Sequence, residues 1–177
     1  PPQVDPDMDF LMLSIVKAKF EGRRAVVFCS NDTFVTSWEV RGGLEHLLVD
    51  YLENAELAHG IARVSTDYYK ELFVEAIDRG ADAVLFGSDL AFNMNTMMSP
   101  AQFDEFIGPY LKELVEVVHG RGAKAIKHSD GNLWPVLDRL IDIGFDGIHP
   151  IQPQCMDLKE VKEHCGERVC LIGNIDC

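Results

Sequence analysis

The chain has 177 residues, 47% apolar and 25% charged, the makeup of a globular domain with a real core, so disorder is excluded as a global reading. Sixteen Lys and Arg against 29 Asp and Glu leave a net charge of -13, which repels phosphate backbones and anionic headgroups and excludes nucleic acid and membrane surfaces as partners. No run approaches the ~18 uncharged apolar residues of a membrane span. The opening Pro1-Pro2-Gln3-Val4-Asp5 lacks the basic-then-apolar pattern of a signal peptide, so a cytoplasmic location is expected.

In chain order, short β-branched runs alternate with longer helical stretches, the pattern of βαβ units around a parallel sheet. A first strand is read at 25–28. A long helix follows over 54–79, with Tyr68, Leu72, Phe73, Ala76 and Ile77 on its inner side and Gly80 stopping it. The second strand spans 83–86. One helix is read over 100–119, where Phe103, Phe106, Ile107, Leu111, Leu114, Val115 and Val118 recur at three- and four-residue spacing and Ser99 caps a first-turn Pro100. Strands at 123–127, 146–149 and 168–172 complete the series, and Gly120, Gly122 and Gly144 fall just past helix ends.

The five cysteines (Cys29, Cys155, Cys165, Cys170 and Cys177) are odd in number and scattered, and read as reduced thiols. Cys29 and Cys170 lie in apolar runs and are expected to be buried as small apolar residues. With no repeat, low-complexity tract or linker, residues 1–177 read as one domain. The expected fold is α/β, part of a (β/α)8 TIM barrel with about five βα units. Because a full barrel takes ~250 residues, the chain reads as truncated at its C-terminus and at its N-terminus as well. An open doubly wound sheet is the alternative, being built from the same units.

In parallel α/β folds the ligand site forms at the carboxyl ends of the strands. Every strand here runs into polar residues: Ser30-Asn31-Asp32, Gly87-Ser88-Asp89, His128-Ser129-Asp130, His149-Pro150-Ile151-Gln152 and Gly173-Asn174-Ile175-Asp176-Cys177. A barrel would aim them into one mouth, although capping of the next helix explains any single Asp or Asn equally well. His128 and Asp130, at i and i+2, share a face if the strand continues through them. Such a pair can share a proton or bind a metal, with Cys177 or His149 as a third ligand to zinc. The other histidines, His46, His59, His119 and His164, fall in helical segments and read as solvated or helix-end residues. Phe92, Met94, Met97 and Met98 make a soft apolar patch after the second strand. No P-loop, GxGxxG, GxSxG or HExxH motif occurs.

The run Lys127-His128-Ser129-Asp130-Gly131-Asn132, with Pro135-Val136-Leu137, Gly144-Phe145-Asp146-Gly147, His149-Pro150-Ile151-Gln152 and Gly173-Asn174-Ile175-Asp176, resembles the uroporphyrinogen decarboxylase superfamily. So does Met98-Ser99-Pro100-Ala101-Gln102-Phe103 with Pro109-Tyr110-Leu111, and the match runs in order from about Val26 onward. The resemblance implies a (β/α)8 barrel of roughly twice this length. It also implies one of two chemistries: cofactor-free decarboxylation of a tetrapyrrole, or methyl transfer with a corrinoid protein. The methyltransferases carry His-x-Cys and a later Cys that hold zinc for thiol activation; His128 matches the histidine, and Asp130 stands where the cysteine would be.

Decarboxylases carry a functional tyrosine where this chain has Trp38, and their arginine motif has no counterpart here, Arg41 being the basic residue near that segment. The expected function is therefore a corrinoid-linked methyltransferase acting on a small methylated substrate. Uroporphyrinogen decarboxylase is the alternative, and a catalytically silent small-molecule-binding barrel the alternative of another class. The residues assigned are His128, Asp130 and Asp89 to catalysis, His149, Gln152, Asn174, Asp176, Trp38 and Met97 to the substrate, and His128, Asp130 and Cys177 to zinc. A corrinoid carried by a partner protein is the expected cofactor of the leading reading, and a homodimer is among the expected assemblies.

Overall fold

The computed structural model describes residues 4, 10–20 and 22–174. Among them, five strands form one parallel sheet: β1 (Val27–Ser30), β2 (Ala83–Gly87), β3 (Lys124–His128), β4 (Gly147–His149) and β5 (Cys170–Leu171), in the spatial order β1-β2-β3-β4-β5. A doubly wound sheet reverses its strand order at a switch point. Sequential order with a helical crossover at each step is that of a (β/α) barrel wall, of which these are five consecutive units.

Among the described residues, eight helices flank the sheet: α1 (Leu11–Phe20), α2 (Thr33–Arg41), α3 (Leu44–Glu53), α4 (Ala55–Asp78), α5 (Pro100–Phe106), α6 (Gly108–Gly120), α7 (Leu137–Ile143) and α8 (Leu158–Cys165). The long helix read at 54–79 is α4, with Asn54 outside it as the cap whose side chain accepts from Leu57 N. The single helix read at 100–119 is two. Pro109 has no N–H to give Glu105, so the ladder breaks at Ile107, which takes φ -124° and ψ -53°. The apolar stripe survives the break, since Phe103, Phe106, Ile107, Leu111, Leu114, Val115 and Val118 are all buried. Helices α1, α2, α3, α7 and α8 have ten residues or fewer, too short for periodicity to declare them.

The two faces of the sheet differ. On one, Val84, Phe86, Ala125, Lys127 and Ile148 are fully buried under the helices. There the Phe86 ring meets Phe73 and Phe145 edge-on, each at 5.0 Å, contacts worth ~0.5–1.5 kcal/mol apiece beyond area burial. On the other face Leu85, Ile126 and His128 stay half-buried. The register links Cys29, Leu85, Ile126, Gly147 and Cys170 in one row across all five strands of this second face. Cys29 and Cys170 are therefore exposed, against the expectation of burial. An apolar run marks a strand but does not say which face of it the helices cover. Cys165 on α8 is the buried thiol, and Cys177 lies outside the described residues. No helix among the described residues is long and apolar enough to cross a membrane.

Candidate functional site

The bare face ends, at the carboxyl ends of the strands, in a row running from Gly87 through His128 to His149. His128 and His149 share a hydrogen bond of 2.8 Å between their Nδ1 atoms, one ring donating and the other accepting. That contact turns the His128 Nε2 toward Asp89 Oδ1, 3.5 Å away. Asp89 is fixed from the far side, because its Oδ1 also accepts from the backbone N–H of Asp130 at 3.0 Å. One ligand atom each of Asp89, His128 and Asp130 thus falls within 4.8 Å of the others. Partial burial and the neighbouring His128 ring hold His149 below the usual imidazole range, with Asp130 opposing. Burial, and then Asp130, push the Cys155 thiol up from its ordinary value.

Asp130 Oδ1 is buried and takes no hydrogen bond from any described residue. A carboxylate oxygen withdrawn from water without a donor is costly, ~1–3 kcal/mol or more, a cost that a cation, a proton or a bound water would relieve. Two carboxylates and one imidazole make a hard, oxygen-rich donor set that suits zinc or a harder divalent ion. The residues present fit a metal, with Asp89, from the loop after β2, as the third candidate donor among the described residues.

The loop that carries Asp130 is set by close backbone packing. Gly131 has φ +87°, and a Cβ there would lie 2.6 Å from Phe92 O, so only glycine passes under the Ala91-Phe92 segment. Its N–H donates to Gln152 Oε1 at 2.8 Å, and Asn132 N–H donates to Phe92 O at 2.9 Å. Gln152 follows Ile151, a β-branched residue held at φ 54°, a conformation that costs ~1–3 kcal/mol and persists only where the surroundings enforce it. Gln152 is thereby used to position the Asp130 loop.

Behind the site, on the helix-covered face, Lys127 and Asp32 form an ion pair of 2.8 Å with both side chains at 0% exposure. The Lys127 Nζ also donates to Ser88 O at 2.8 Å and to Ser88 Oγ at 2.7 Å, and Ser88 Oγ donates to Asp32 Oδ2 at 2.6 Å. Asp32 Oδ1 accepts from Phe34 N, capping α2. The network ties the ends of β1, β2 and β3 together one residue away from both Asp89 and His128. The sequence does not announce it, because Lys127 is one of two lysines in β3 and the other, Lys124, is exposed.

Of the other residues assigned from sequence, Trp38 and Met97 line a cavity of about 340 Å³ together with Asn31, Val35, Glu39, Leu44, Gly87 and Asp89. Asp89 is common to this cavity and to the donor triad. Asn174 sits apart: its Nδ2 donates to Ile151 O, and it borders a different surface cavity beside α8. Asp176 and Cys177 lie outside the described residues. His59, His119 and His164 serve as packing or pairing groups, His59 stacked on Phe106 and the others bonded to Asp146 and Asp138. Arg41 is bound to Asp50.

The family profile described as uroporphyrinogen decarboxylase (URO-D) matches residues 29–177. The chain belongs to this family. Among solved structures, a methyltransferase from Methanosarcina mazei superposes on this uroporphyrinogen decarboxylase family member with a TM-score of 0.83 at 20% identity, covering 94% of the chain and 48% of that structure. At that identity the likeness establishes the barrel fold, and the chain spans about half the length of that relative. A Xaa-Pro dipeptidase with bound methionine in its active site matches at a TM-score of 0.39 and 18% identity, over 59% of the chain and 24% of the dipeptidase, too low to carry an argument. No curated protein matches the chain.

Proposed function

We propose that this uroporphyrinogen decarboxylase family member acts in methyl transfer, between a small methylated substrate and a corrinoid carried by a partner protein. The observation that supports this over tetrapyrrole decarboxylation is the charge of the strand-end cavity. Its lining holds Glu39 and Asp89 and no basic residue, while Lys127 is sealed behind the sheet and Arg41 is bound to Asp50. A polycarboxylate substrate would meet repulsion there at low local dielectric. Trp38, which lines the same cavity, has no phenolic proton to give.

Asp89, His128 and Asp130 are the residues that would hold a divalent ion, and the buried Asp130 Oδ1 without a donor is what makes the fit. When bound, such an ion supplies Lewis-acid polarisation of the atom that receives or releases the methyl group. The chain's own residues do the positioning. His149 fixes the His128 ring through the shared Nδ1 hydrogen bond, leaving Nε2, on the Asp89 side, as the ring's ligand atom. Gln152 holds the Gly131 N–H and with it the Asp130 carboxylate.

Metal analysis of the purified protein, followed by a methyl-transfer assay with free corrinoid, tests this reading. One divalent ion per chain, lost on Asp130→Ala, and a methyl-dependent change in corrinoid absorbance are the expected results. Because a supporting ligand typically governs metal affinity by 10–100-fold, His149→Ala should weaken binding without abolishing it. Formation of coproporphyrinogen from uroporphyrinogen, or a metal-free protein inert toward corrinoid, would overturn the reading.

A further inference from the structure

The strand-end cavity carries a more specific message than the sign of its charge. Its wall combines the indole of Trp38, the thioether of Met97 and the aliphatic side chains of Val35 and Leu44 with the carboxylates of Glu39 and Asp89. Glu39 forms no ion pair among the described residues. An aromatic and apolar wall with unpaired negative charge and no lysine or arginine is the chemistry that recognises a compact organic cation, since the ring quadrupole and the carboxylates both attract it. The volume of about 340 Å³ is at the low end of the ~300–1,000 Å³ range of small-molecule sites, so a large ligand is excluded.

We infer that the cavity binds a methylated onium ion, a quaternary ammonium or sulfonium, as the methyl donor. The inference rests on the methyl-transfer reading of the same site and names its substrate class. Methyl groups on a positive centre present a diffuse charged surface without N–H donors, which suits indole, thioether and aliphatic contacts better than a hydrogen-bonded pocket. Transfer is balanced as follows: the C–N or C–S bond breaks with its electron pair left on nitrogen or sulfur, which departs neutral, and a nucleophilic acceptor supplies the pair of the new bond to carbon. An onium donor needs no protonation or metal coordination to release its methyl group. The Asp89, His128 and Asp130 triad is then free to act on the acceptor. Were a divalent ion to take up the charges of Asp89 and Asp130, Glu39 would keep the cavity negative.

Trp38 is itself the reporter. The chain has two tryptophans, so Trp134→Phe, which is outside the cavity lining and beside His164, leaves Trp38 as the single tryptophan fluorophore. Titrations with tetramethylammonium, trimethylsulfonium, choline and the neutral alcohol in which carbon replaces choline's nitrogen need neither metal nor corrinoid. We expect saturable changes in Trp38 emission for the onium ions and at least roughly ten-fold weaker binding of the neutral isostere, the scale of a desolvated cation–π contact. Binding of ammonium but not sulfonium, or the reverse, identifies the donor type within the class. The exposed, isosteric Glu39→Gln should lower onium affinity several-fold and leave the isostere unchanged. Trp38→Leu, followed by calorimetry, should abolish the preference.

Equal binding of choline and its neutral isostere, or no response to any of these ligands, overturns the inference. Methyl transfer from a neutral ether without onium binding would also sink it, while leaving methyl transfer itself standing. Onium-selective binding in a protein that transfers no methyl group supports the ligand class and counts against the reaction.

Discussion

Lys127 and His128 are neighbours in sequence and opposites in role, because successive side chains of a strand point to opposite faces. His128 emerges on the open side and can meet a ligand. Lys127 is sealed behind it with its ammonium against Asp32 and Ser88. Burial lowers the Lys127 pKa from its ordinary value and the Asp32 carboxylate opposes that shift. Deleting one member of a buried pair leaves the other charge uncompensated, which costs ~3–5 kcal/mol, whereas replacing both by apolar groups is often close to neutral. Lys127→Met should therefore lower the unfolding free energy in urea by about that amount, and Lys127→Met combined with Asp32→Leu should recover much of it. A loss below ~1 kcal/mol for the single variant, on the scale of an exposed pair, would show that the pair is not sealed. His128 and Asp130 were legible as a candidate pair from their spacing alone. Asp32 was not, because its partner lies 95 residues away, and a polar residue after a strand looks the same whether it caps a helix, binds a ligand or neutralises a buried lysine.

At the level of elements, α4 and α6 are clamped by charge as well as by apolar packing. Arg63 on α4 forms a two-pronged contact with Glu113 on α6, at 2.8 and 2.7 Å, and Lys70 adds a second cation. The Arg63 guanidinium, with Lys70 behind it, holds the Glu113 carboxyl down at about 2 against an ordinary value of 4.5. A carboxyl whose folded-state pKa is depressed contributes stability that is fully present above the unfolded value and is lost as pH falls through the folded one. The window here is from about pH 4.5 down to about 2. With a third of the side chain exposed, solvent screening limits the size of the effect. The urea midpoint of the wild-type chain should exceed that of Glu113→Gln at pH 6, and the gap should close steadily as the pH is lowered through this window. A gap independent of pH would assign the contact to packing. The apolar stripe of α6 could be read from spacing because it repeats over several turns. The break at Ile107 had its own signal in Pro109, which falls in the interior of the stretch read as one helix, where a proline breaks the ladder; the apolar spacing that runs on across it masked that signal.

For the molecule as a whole, the asymmetry of the sheet decides what is exposed and what is protected. The helices cover Val84, Phe86, Ala125, Lys127 and Ile148, while the row from Cys29 through Leu85, Ile126 and Gly147 to Cys170 lies on the face they leave bare. The order of the strands was legible because each is short and followed by polar residues. The covered face was not, because a strand buried on both sides and one buried on a single side can both read as apolar runs. Thiol chemistry distinguishes the faces directly. In the 177-residue chain, Cys29 and Cys170 are exposed while Cys165 is buried on α8 with a thiol that burial pushes up. An alkylating reagent at neutral pH should label Cys29 and Cys170 first under native conditions and Cys165 only on unfolding, read peptide by peptide by mass spectrometry. In a closed (β/α)8 barrel the same row would face the packed interior, so enclosure of the bare face should slow Cys29 and Cys170 and leave Cys165 as it was. Fast labelling of Cys165 in the folded chain would contradict the packing of α8, and slow labelling of Cys29 and Cys170 in the isolated chain would mean that something already covers the face on which His128 and its partners stand.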